Sequence, residues 1–447
     1  MKKLFGTFGV RRIANKQLTP EFASRLSAAF GSLTDGKIAV GGDTRTSTPM
    51  IKHAVIASLL STGCDVVDLG ILPTPTVQYA VRKYYDAGVI ITASHNPPQY
   101  NGIKFVDEHG IGIKEELEEK IEKIFFEEKA ERVPWDRIGS TTKNRKIIRE
   151  YIDEIIKRVD ADIIREANFT VVVDCGSGAG SYTTPYLLRE LGCEVLSLNC
   201  QPDGFFPGRD PEPTPKNLKN LMDIVKVSKA DLGIAHDGDA DRMVAVDEKG
   251  RFADFDKLLT LIAKEKGGKI ITTVDASISL DECLKEVGGE VIRTKVGDVH
   301  VAEALIKEGG TFGGEPSGTW LHPEFSLSPD GIFSALKLVE IVSKEGPLSR
   351  LLDEIPSYYN IRDKIPCPDT KKDNVMEKVK QQLPKQFTEK IQIDNIDGVR
   401  ISLEDGSWVL IRPSGTEPYI RVRIEAKKEK TAKKLHNMSR SFLEKII

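Results

Sequence analysis

The sequence of 447 residues predicts an α/β protein in which three similarly built α/β domains are followed by a smaller α+β domain. Residues 37–70, 169–199 and 268–298 carry the first part of this prediction. In each stretch a β-branched run ends in a glycine- or acid-rich turn, and an amphipathic segment and a second β-branched run follow. The chain after residue 356 carries the second part, because hairpin signals with helices at both ends replace that order. Mixed or largely parallel sheets are therefore expected in the first three domains.

The three stretches predict strand, loop, helix and strand in that order. The first runs from the strand KIAVGG through a polar loop and a helix to the strand DVVDLG. In the second, VVVD leads into a glycine-serine loop, and a helix is expected to begin near Thr184 and Pro185, because proline is favoured in a first helical turn. The third repeats the order from KIITTV to EVIRT. The repeat is architectural, since the three stretches share little sequence.

The C-terminal stretch is expected to form a small hairpin-rich domain. It predicts a helix at 371–383, strands at 398–403, 408–412 and 420–425, and a helix at 431–447. A turn at 404–406 joins the first two strands. Together these patterns divide the chain into domains at residues 1–150, 151–251, 252–356 and 357–447.

Composition limits the possible partners. The formal net charge is −3 with acids and bases interspersed, so no global basic field would attract nucleic acid or an anionic membrane. The six cysteines include no C-x-x-C pair, which fits a reducing cytosol better than a zinc site or a disulfide scaffold. No apolar run has the length of a signal-peptide core or a membrane span. We expect a cytoplasmic protein whose anion-binding sites are local.

The segment ITASHNPPQYNGIK places Ser94 and His95 between an apolar run and two prolines. A serine hydrolase is disfavoured, because adjacent residues do not easily align an imidazole with a hydroxyl and no G-x-S-x-G elbow surrounds Ser94. Two alternatives stay open. Ser94 or Asn96 forms a turn ahead of Pro97, or the Ser94 hydroxyl serves another chemistry.

Three aspartates, Asp237, Asp239 and Asp241, alternate along a short loop between two apolar runs. Their carboxylates can converge on one hard cation. An EF-hand is excluded, because its sixth position would be Arg242 instead of glycine and both flanks predict strands. Three oxygen ligands leave coordination positions open, which suits Mg²⁺ holding a phosphoryl oxygen. A solvated acidic turn is the alternative.

Two later loops offer groups for a sugar and for a phosphate. Glu315 and Ser317, on a glycine-flanked loop, could hydrogen-bond to sugar hydroxyls, or could belong to a polar turn before a strand. In LIRPSGTEPYIRVRIE a guanidinium, two hydroxyls and several backbone N–H groups fall in one turn, which suits a phosphate. The alternative is a structural turn closed by an ion pair between arginine and Glu417. The phosphate candidates are Arg412, Ser414, Gly415 and Thr416, with Arg421 as a further charge.

Seven loops together resemble the signature loops of the α-D-phosphohexomutases, a family of phosphoglucomutases, phosphomannomutases and phosphoglucosamine mutases. In chain order they are FGTFGVR, GGDTRTS, TASHNPPQYNGIK, DGDADR, TKVGDVHV, GGEPSG and RPSGTEPYIRV. The resemblance spans nearly the whole chain and implies three similar α/β domains and a C-terminal domain of TATA-box-binding-protein-like fold around a central cleft. It also implies that Ser94 carries a phosphoryl group and that one Mg²⁺ per chain is held by phosphorylated Ser94 with Asp237, Asp239 and Asp241.

The reaction that the resemblance implies interconverts a hexose 6-phosphate and a hexose 1-phosphate through a hexose 1,6-bisphosphate. The phosphate loop would hold the phosphate that does not react, and Glu315 and Ser317 would hold ring hydroxyls. Lys104 matches the family's general acid/base. That role requires a lowered pKa, which burial or the nearby arginines Arg11 and Arg242 could provide. His95 is assigned to positioning of the loop.

One position departs from the family pattern, because Thr319 stands where many bacterial members have a histidine implicated in proton transfer. His322 is a candidate replacement, with a structural histidine as the alternative. TKVGDVHV, FGTFGVRRIAN and GEPSGTW resemble archaeal phosphoglucosamine mutases, which favours glucosamine phosphates as substrates. Broad phosphomannomutase/phosphoglucomutase activity is the alternative, since one polar contact at C2 discriminates weakly.

Two other classes of function use the same residues. A metal-dependent phosphatase would release inorganic phosphate and would need no bisphosphate. A non-catalytic sugar-phosphate sensor would bind without turnover and would be expected to lack Ser94 or one of the aspartates, whereas this chain retains all four.

Overall fold

The computed structural model describes residues 4–6, 8–414 and 417–447. The chain divides into two compact units. Unit 1 comprises the residues up to Phe255 together with Ser317–Leu352, and unit 2 comprises Asp256–Pro316 with Asp353–Ile447. The division into four domains at residues 150, 251 and 356 stays a prediction.

Strands and helices alternate through most of the described chain. The strands are β1 (Val10–Ile13), β2 (Lys37–Gly42), β3 (Asp65–Ile71), β4 (Ala87–Ile91), β5 (Tyr100–Val106), β6 (Thr141–Lys143), β7 (Thr170–Asp174), β8 (Glu194–Leu198), β9 (Leu232–His236), β10 (Met243–Asp247), β11 (Lys269–Thr273), β12 (Glu290–Thr294), β13 (Phe312–Glu315), β14 (Thr319–Leu321), β15 (Tyr359–Pro366), β16 (Ile391–Asp394), β17 (Val399–Leu403), β18 (Trp408–Pro413) and β19 (Tyr419–Ala426). The helices are α1 (Pro20–Gly31), α2 (Thr48–Ser61), α3 (Thr74–Tyr84), α4 (Glu115–Glu127), α5 (Ile147–Ile156), α6 (Ala161–Ala167), α7 (Thr184–Glu190), α8 (Lys219–Ser228), α9 (Phe255–Lys266), α10 (Ile278–Glu286), α11 (Asp298–Glu308), α12 (Gly331–Glu345), α13 (Leu348–Asp353), α14 (Lys372–Gln382) and α15 (Glu429–Ile446). Short 3₁₀ helices lie at Trp135–Arg137, Ala179–Tyr182, Asp369–Lys371 and Leu383–Gln386.

Unit 1 contains two mixed sheets. The first has the order β1-β5-β4-β2-β3-β6, with β2 parallel to both β3 and β4 and with β5 antiparallel to its neighbours. The second has the order β10-β9-β7-β8, in which only β10 is antiparallel. All five residues of β4 are buried, as expected for a central strand covered on both faces. Apolar residues of α1, α2 and α4 pack with this sheet into one core.

In unit 2 the strands β12, β11 and β13 lie side by side and parallel, while β15-β19-β18-β17-β16 form an antiparallel sheet. Apolar residues of α14 and α15 pack on the antiparallel sheet. This confirms the predicted α/β architecture with a C-terminal α+β domain. Among the described residues, no helix combines the length and apolar character that a membrane crossing requires.

The sequence analysis missed β15 and β16, which are the two edge strands of the antiparallel sheet. In β15 only Ile365 is fully buried, and β16 contributes no fully buried residue. An edge strand that buries so little apolar surface carries a weak alternation signal. The other C-terminal elements fall within two residues of their predicted positions.

Candidate active site

Ser94 is buried in the loop that follows β4, at the carboxyl edge of the first sheet. Strands β2 and β4 are parallel with Gly42 opposite Ile91, so the loops that follow them begin side by side. Ser94 is 1% exposed and has a backbone φ of 50°, in the left-handed region. This conformation is uncommon for a residue other than glycine and persists only where the surroundings impose it.

The three aspartates lie on the turn between the antiparallel strands β9 and β10. Asp237, Asp239 and Asp241 are all buried, and one carboxylate oxygen from each lies within 4.8 Å of the others. Gly238 permits close approach of the two loops, because a Cβ there would lie 2.6 Å from the Ser94 carbonyl oxygen. The structure thus brings Ser94 next to the loop of three aspartates, which lies more than a hundred positions away in the sequence.

The Ser94 hydroxyl donates a hydrogen bond to Asp237 Oδ2 at 2.6 Å. His95 Nδ1 lies 3.2 Å from the same Ser94 Oγ. A serine hydroxyl has one proton to donate, so with Asp237 as its acceptor the His95 contact requires the imidazole to donate from Nδ1. Arg242, burial and Arg11 lower the pKa of His95 to about 2, which keeps the ring neutral. His95 therefore does not act as the base of a Ser-His pair.

Lys104, on β5, lies inside the aspartate cluster. Its Nζ donates to Asp239 Oδ2 and to Asp241 Oδ2, both at 2.9 Å, and lies 4.7 Å from the centre of the Phe8 ring. Burial acts to lower the pKa of Lys104, but Asp239 and Asp241 outweigh it and raise that pKa above its ordinary value. The expectation that burial or arginines lower the Lys104 pKa is therefore wrong for this arrangement, because two carboxylates lie within hydrogen-bond distance of the ammonium.

The carboxylates differ in their electrostatic environment. Burial, with Asp241 and Asp239 nearby, raises the pKa of Asp237 well above its usual range. Burial also acts to raise the pKa of Asp239, but Lys104 and the Thr74 hydroxyl more than compensate and lower it. Mutual repulsion among three buried acids is the condition that a bound cation relieves.

The sequence analysis missed Thr74, at the start of α3. Its hydroxyl donates to Asp239 Oδ2 at 2.6 Å, and its backbone N–H donates to the Asp239 carbonyl at 2.9 Å. Thr74 thus orients the central carboxylate of the cluster. The only available signal was the Thr-Pro-Thr run after an apolar strand, which resembles any helix start.

The aspartate cluster fits a divalent cation. Asp239 Oδ1 is buried and has no hydrogen-bond partner among the described residues, while its Oδ2 is bonded to Lys104 and Thr74. A buried carboxylate oxygen without a partner is costly, and coordination of a cation would satisfy it. The donor set consists of carboxylates and a hydroxyl, the oxygen ligands that Mg²⁺ prefers.

Two arginines lie near this cluster. Arg11, on β1, donates from Nη1 to Asn96 Oδ1 at 3.1 Å, which ties it to the Ser94 loop. Arg242 begins the return into β10, and its backbone N–H lies 3.4 Å from Asp237 Oδ1. Both arginines lower the pKa of His95, the residue next to Ser94, and their roles in catalysis and substrate binding stay predictions.

The sugar-loop residues are described in separate units. In unit 1, Ser317 Oγ lies 3.1 Å from Thr319 Oγ1. In unit 2, Glu315 Oε1 accepts the backbone N–H of Gly297 at 2.6 Å. His322 is 1% exposed, and its Nε2 lies 3.0 Å from Ser334 Oγ on α12. This burial against α12 supports the structural alternative for His322 and not a replacement for the histidine missing at Thr319.

The phosphate-loop arginines lie on adjacent strands of unit 2. Arg412 on β18 pairs directly with Arg421 on β19, and Arg421 pairs with Lys364 on β15. Like charges directly opposite each other destabilise a sheet unless anions compensate them. Here Asp397 accepts from Arg412 at 2.6 Å and Glu417 accepts from Arg421 at 2.8 Å. Sequence reasoning missed Lys364 because β15 was missed.

A lysine binds the described residues Ser414 and Glu417 between β18 and β19. Lys372 Nζ donates to the carbonyls of Ser414 and Glu417, both at 2.6 Å. The backbone N–H of Glu417 lies 3.3 Å from Ser414 Oγ. Gly415 and Thr416, the other two predicted phosphate ligands, lie outside the described residues.

Comparison with known proteins covers the chain almost end to end. Four segments match the family described as phosphoglucomutase/phosphomannomutase: alpha/beta/alpha domain I over residues 2–132, domain II over 149–250, domain III over 254–359 and the C-terminal domain over 364–440. One curated relative, named "Probable phosphoglucosamine mutase" of Methanothermobacter thermautotrophicus, is 54% identical over 450 residues, which cover 100% of this chain and 98% of the relative. A relative of the same name from Pyrococcus horikoshii is 47% identical and covers 100% of this chain and 99% of its own length.

The fold has a solved counterpart. A phosphoglucomutase/phosphomannomutase family protein from Burkholderia thailandensis superposes with a TM-score of 0.89 at 27% identity, covering 100% of this chain and 98% of that one. The family match, the full-length relatives and the fold all agree with the family resemblance that the sequence carries. The chain is a member of the phosphoglucomutase/phosphomannomutase family, the α-D-phosphohexomutases.

Proposed function

We propose that this protein is a cytoplasmic phosphoglucosamine mutase that interconverts glucosamine 6-phosphate and glucosamine 1-phosphate through phosphorylated Ser94 and a hexose 1,6-bisphosphate. The observation that carries the proposal is the buried contact of Ser94 Oγ with Asp237 at 2.6 Å, within a cluster that also holds Asp239, Asp241 and Lys104. A hydroxyl next to three carboxylates and an ammonium is suited to phosphoryl transfer.

The residues that would hold one Mg²⁺ are Ser94, when phosphorylated, and Asp237, Asp239 and Asp241. When bound, the ion would neutralise charge on the transferring phosphoryl group. Electrostatic stabilisation of that charge is a major contribution to the rate in this class of reaction. Asp239 is oriented by Thr74, so the central ligand is held before any cation arrives.

In the first half-reaction the bond between phosphorus and Ser94 Oγ breaks, and a bond forms to the free hydroxyl of the sugar phosphate. Lys104, whose pKa Asp239 and Asp241 raise and which is therefore protonated, is the proposed proton carrier. It gives a proton to the released serine oxygen and takes up the proton of the sugar hydroxyl in exchange. Arg11 and Arg242 offset charge around the Ser94 loop. The second half-reaction returns the other phosphate of the bisphosphate to Ser94, so the enzyme ends as it began.

We propose that Arg412, Ser414, Gly415, Thr416 and Arg421 bind the phosphate that does not react, and that Glu315 and Ser317 bind ring hydroxyls. The pairing of Arg412 with Arg421 on adjacent strands supports this proposal, because it places two guanidiniums opposite each other. Each has an acid partner, and a phosphate dianion could bind both guanidiniums at once. Lys364 extends that row of cations.

Glucosamine phosphates are the proposed substrates, because full-length relatives at 47–54% identity are named as probable phosphoglucosamine mutases. Broad phosphomannomutase/phosphoglucomutase activity is the second candidate, favoured by the name of the matched family. The values of kcat/KM on glucosamine, glucose and mannose phosphates distinguish the two. A preference for mannose over glucosamine phosphates would overturn the first choice.

The Ser94→Ala variant tests the mechanism. We expect mutase turnover, measured with glucosamine 6-phosphate, Mg²⁺ and a hexose 1,6-bisphosphate activator, to disappear while the fold and sugar-phosphate binding persist. Ser27→Ala, at a buried serine on α1, is the matched control and should keep activity. Release of inorganic phosphate without isomerisation by the wild type would identify a phosphatase, and binding without turnover would identify a sensor.

A further inference from the structure

Arg45, from the GGDTRTS loop after β2, is fully buried and joins Asp43 of its own loop to the backbone of the Ser94 loop. Nε donates to Asp43 Oδ2 at 3.0 Å. Nη1 donates to the carbonyls of Pro97 and Tyr100 at 2.7 and 3.0 Å. Nη2 donates to the carbonyls of Ser94 and Asn96 at 2.8 and 2.6 Å. A guanidinium has five N–H donors, and each has an acceptor here.

The backbone N–H of Ser94 leads to the same ion pair by a second path. It donates to Thr92 Oγ1 at 2.8 Å, and the Thr92 hydroxyl donates to Asp43 Oδ2 at 2.6 Å. Asp43 is fixed in turn, since its Oδ1 accepts from the Arg45 backbone N–H at 3.0 Å. Both backbone polar groups of Ser94 are therefore held through one buried pair, Asp43 and Arg45.

This ring of hydrogen bonds explains the backbone conformation of Ser94. A serine at φ = 50° is held there by its surroundings, and both of its peptide groups are bonded to buried partners that do not move independently. The same φ sets the direction of the Cα–Cβ bond and thereby of Oγ toward Asp237. The Phe206 ring lies 5.1 Å from the Arg45 guanidinium carbon and covers it.

We propose that Arg45, held by Asp43 and linked through Thr92, is a positioning residue that fixes Ser94 in the left-handed conformation and so aims its hydroxyl into the aspartate cluster. The catalytic part of this inference rests on the proposed function, because the direction of the Ser94 hydroxyl affects catalysis only if Ser94 transfers a phosphoryl group. The chemistry requires arginine. A lysine ammonium carries three donors on one atom and cannot reach four carbonyls and a carboxylate in a plane.

Thr92 gives the sharper test, because two conservative changes separate hydrogen bonding from packing. Thr92→Val keeps the volume and removes the hydroxyl, whereas Thr92→Ser keeps the hydroxyl and removes a methyl group. We expect Thr92→Val to lower kcat by roughly tenfold or more with KM little changed, since displacement of a reacting group by about 1 Å costs on the order of 100-fold. Thr92→Ser should stay close to the wild type. The opposite ranking would show that Thr92 only fills space and would overturn the proposal.

Arg45→Lys tests the direct hydrogen bonds from Arg45 to the Ser94 loop. Arg400→Lys is the matched control for loss of a buried arginine. Arg400 is buried in unit 2, where it lies over Trp408 and donates to the Val274 carbonyl. We expect Arg45→Lys to lower kcat per folded molecule by about 100-fold or more. Arg400→Lys should lower the melting temperature without that loss.

Crystal structures of Thr92→Val and Arg45→Lys supply a readout that needs no turnover. We expect Ser94 to leave the left-handed region or its Oγ to leave hydrogen-bond distance of Asp237. If Ser94 keeps φ near 50° and its contact with Asp237 in both variants, the inference is wrong, whatever the activity of the enzyme. If Ser94 moves as expected but the wild type shows no phosphoryl transfer, the positioning role stands and the proposed function fails.

Discussion

The Ser94 loop of unit 1 follows β4, and the described phosphate-loop residues of unit 2 lie at the facing ends of β18 and β19, but the two sets of residues are held differently. Both have a buried cation beneath the backbone: Arg45 donates to four carbonyls of the first loop, and Lys372 donates to two of the second. The side chains differ more. Ser94 and its three aspartates are buried, and Ser94 contacts Asp237 directly. By contrast, the Arg412 and Arg421 side chains are 19% and 39% exposed, and each is paired with an acid.

This difference indicates two tasks. A nucleophile that must meet its phosphorus in line gains from a fixed backbone and fixed partners. A phosphate-binding site must bind and release its ligand in every cycle, so its arginines need acid partners that a phosphate can replace readily. Partly exposed ion pairs meet this need, because they contribute little stability of their own. We therefore expect substitutions around Ser94 to change kcat and substitutions around Arg412 to change KM.

Among the substitutions that compare the two regions, the largest effect is expected for Asp239→Asn. The amide would direct its NH₂ group either at Lys104 Nζ, another donor, or at the position where Oδ1 would face a cation. We expect kcat to fall by roughly 100- to 1,000-fold, as for removal of a charge-stabilising group. The affinity for Mg²⁺, measured by calorimetry, should fall as well. Asp136→Asn, at an exposed aspartate of unit 1, is the control. Unchanged Mg²⁺ affinity in Asp239→Asn would exclude this cluster as the metal site.

The sequence predicts much of this architecture because its signal is local. Ser94 and the aspartates each follow a buried apolar strand, β4 in the first sheet and β9 in the second, so the pattern places each loop at a strand end. Their convergence joins two different sheets, and it is expected only from the resemblance of the loops to those of the family. The strand, loop, helix and strand stretches are predicted for the same reason, since each buries a continuous apolar run.

What the sequence leaves out depends on register and on distant partners. Thr74 meets Asp239 across 165 positions, and Arg45 meets Ser94 across 49. Nothing local marks either contact. The row formed by Lys364, Arg421 and Arg412 exists only through the pairing of three strands, one of which is an edge strand with little apolar signal. The pKa of Lys104 likewise depends on two aspartates from another loop.

A smaller effect is expected for Arg412→Gln. A hydrogen bond to a charged group contributes about 1.5–3 kcal/mol, and partial exposure of Arg412 reduces that value. We expect KM for the sugar phosphate to rise by about tenfold with kcat changed little, and the difference from wild type to shrink at high ionic strength. Arg440→Gln, at an exposed arginine of α15 that is also paired with acids, is the control. A fall in kcat with constant KM would contradict the proposal that Arg412 serves substrate binding while the Ser94 loop serves catalysis.

The smallest effect, and the most direct test of exchangeable partners, is expected for Asp397→Asn. Asp397 Oδ2 accepts from Arg412 at 2.6 Å and from the Val296 backbone N–H at 3.2 Å. Asparagine keeps an oxygen for Val296 but removes the charge that competes with a phosphate for Arg412. Because a partly exposed ion pair contributes about 0–1 kcal/mol, we expect KM to fall by up to about fivefold and the melting temperature to change little. Asp373→Asn, an exposed aspartate on α14, should change neither. A rise in KM would mean that Asp397 holds Arg412 in place for the phosphate, and Arg412 would then be fixed by its partner as Ser94 is fixed by Arg45.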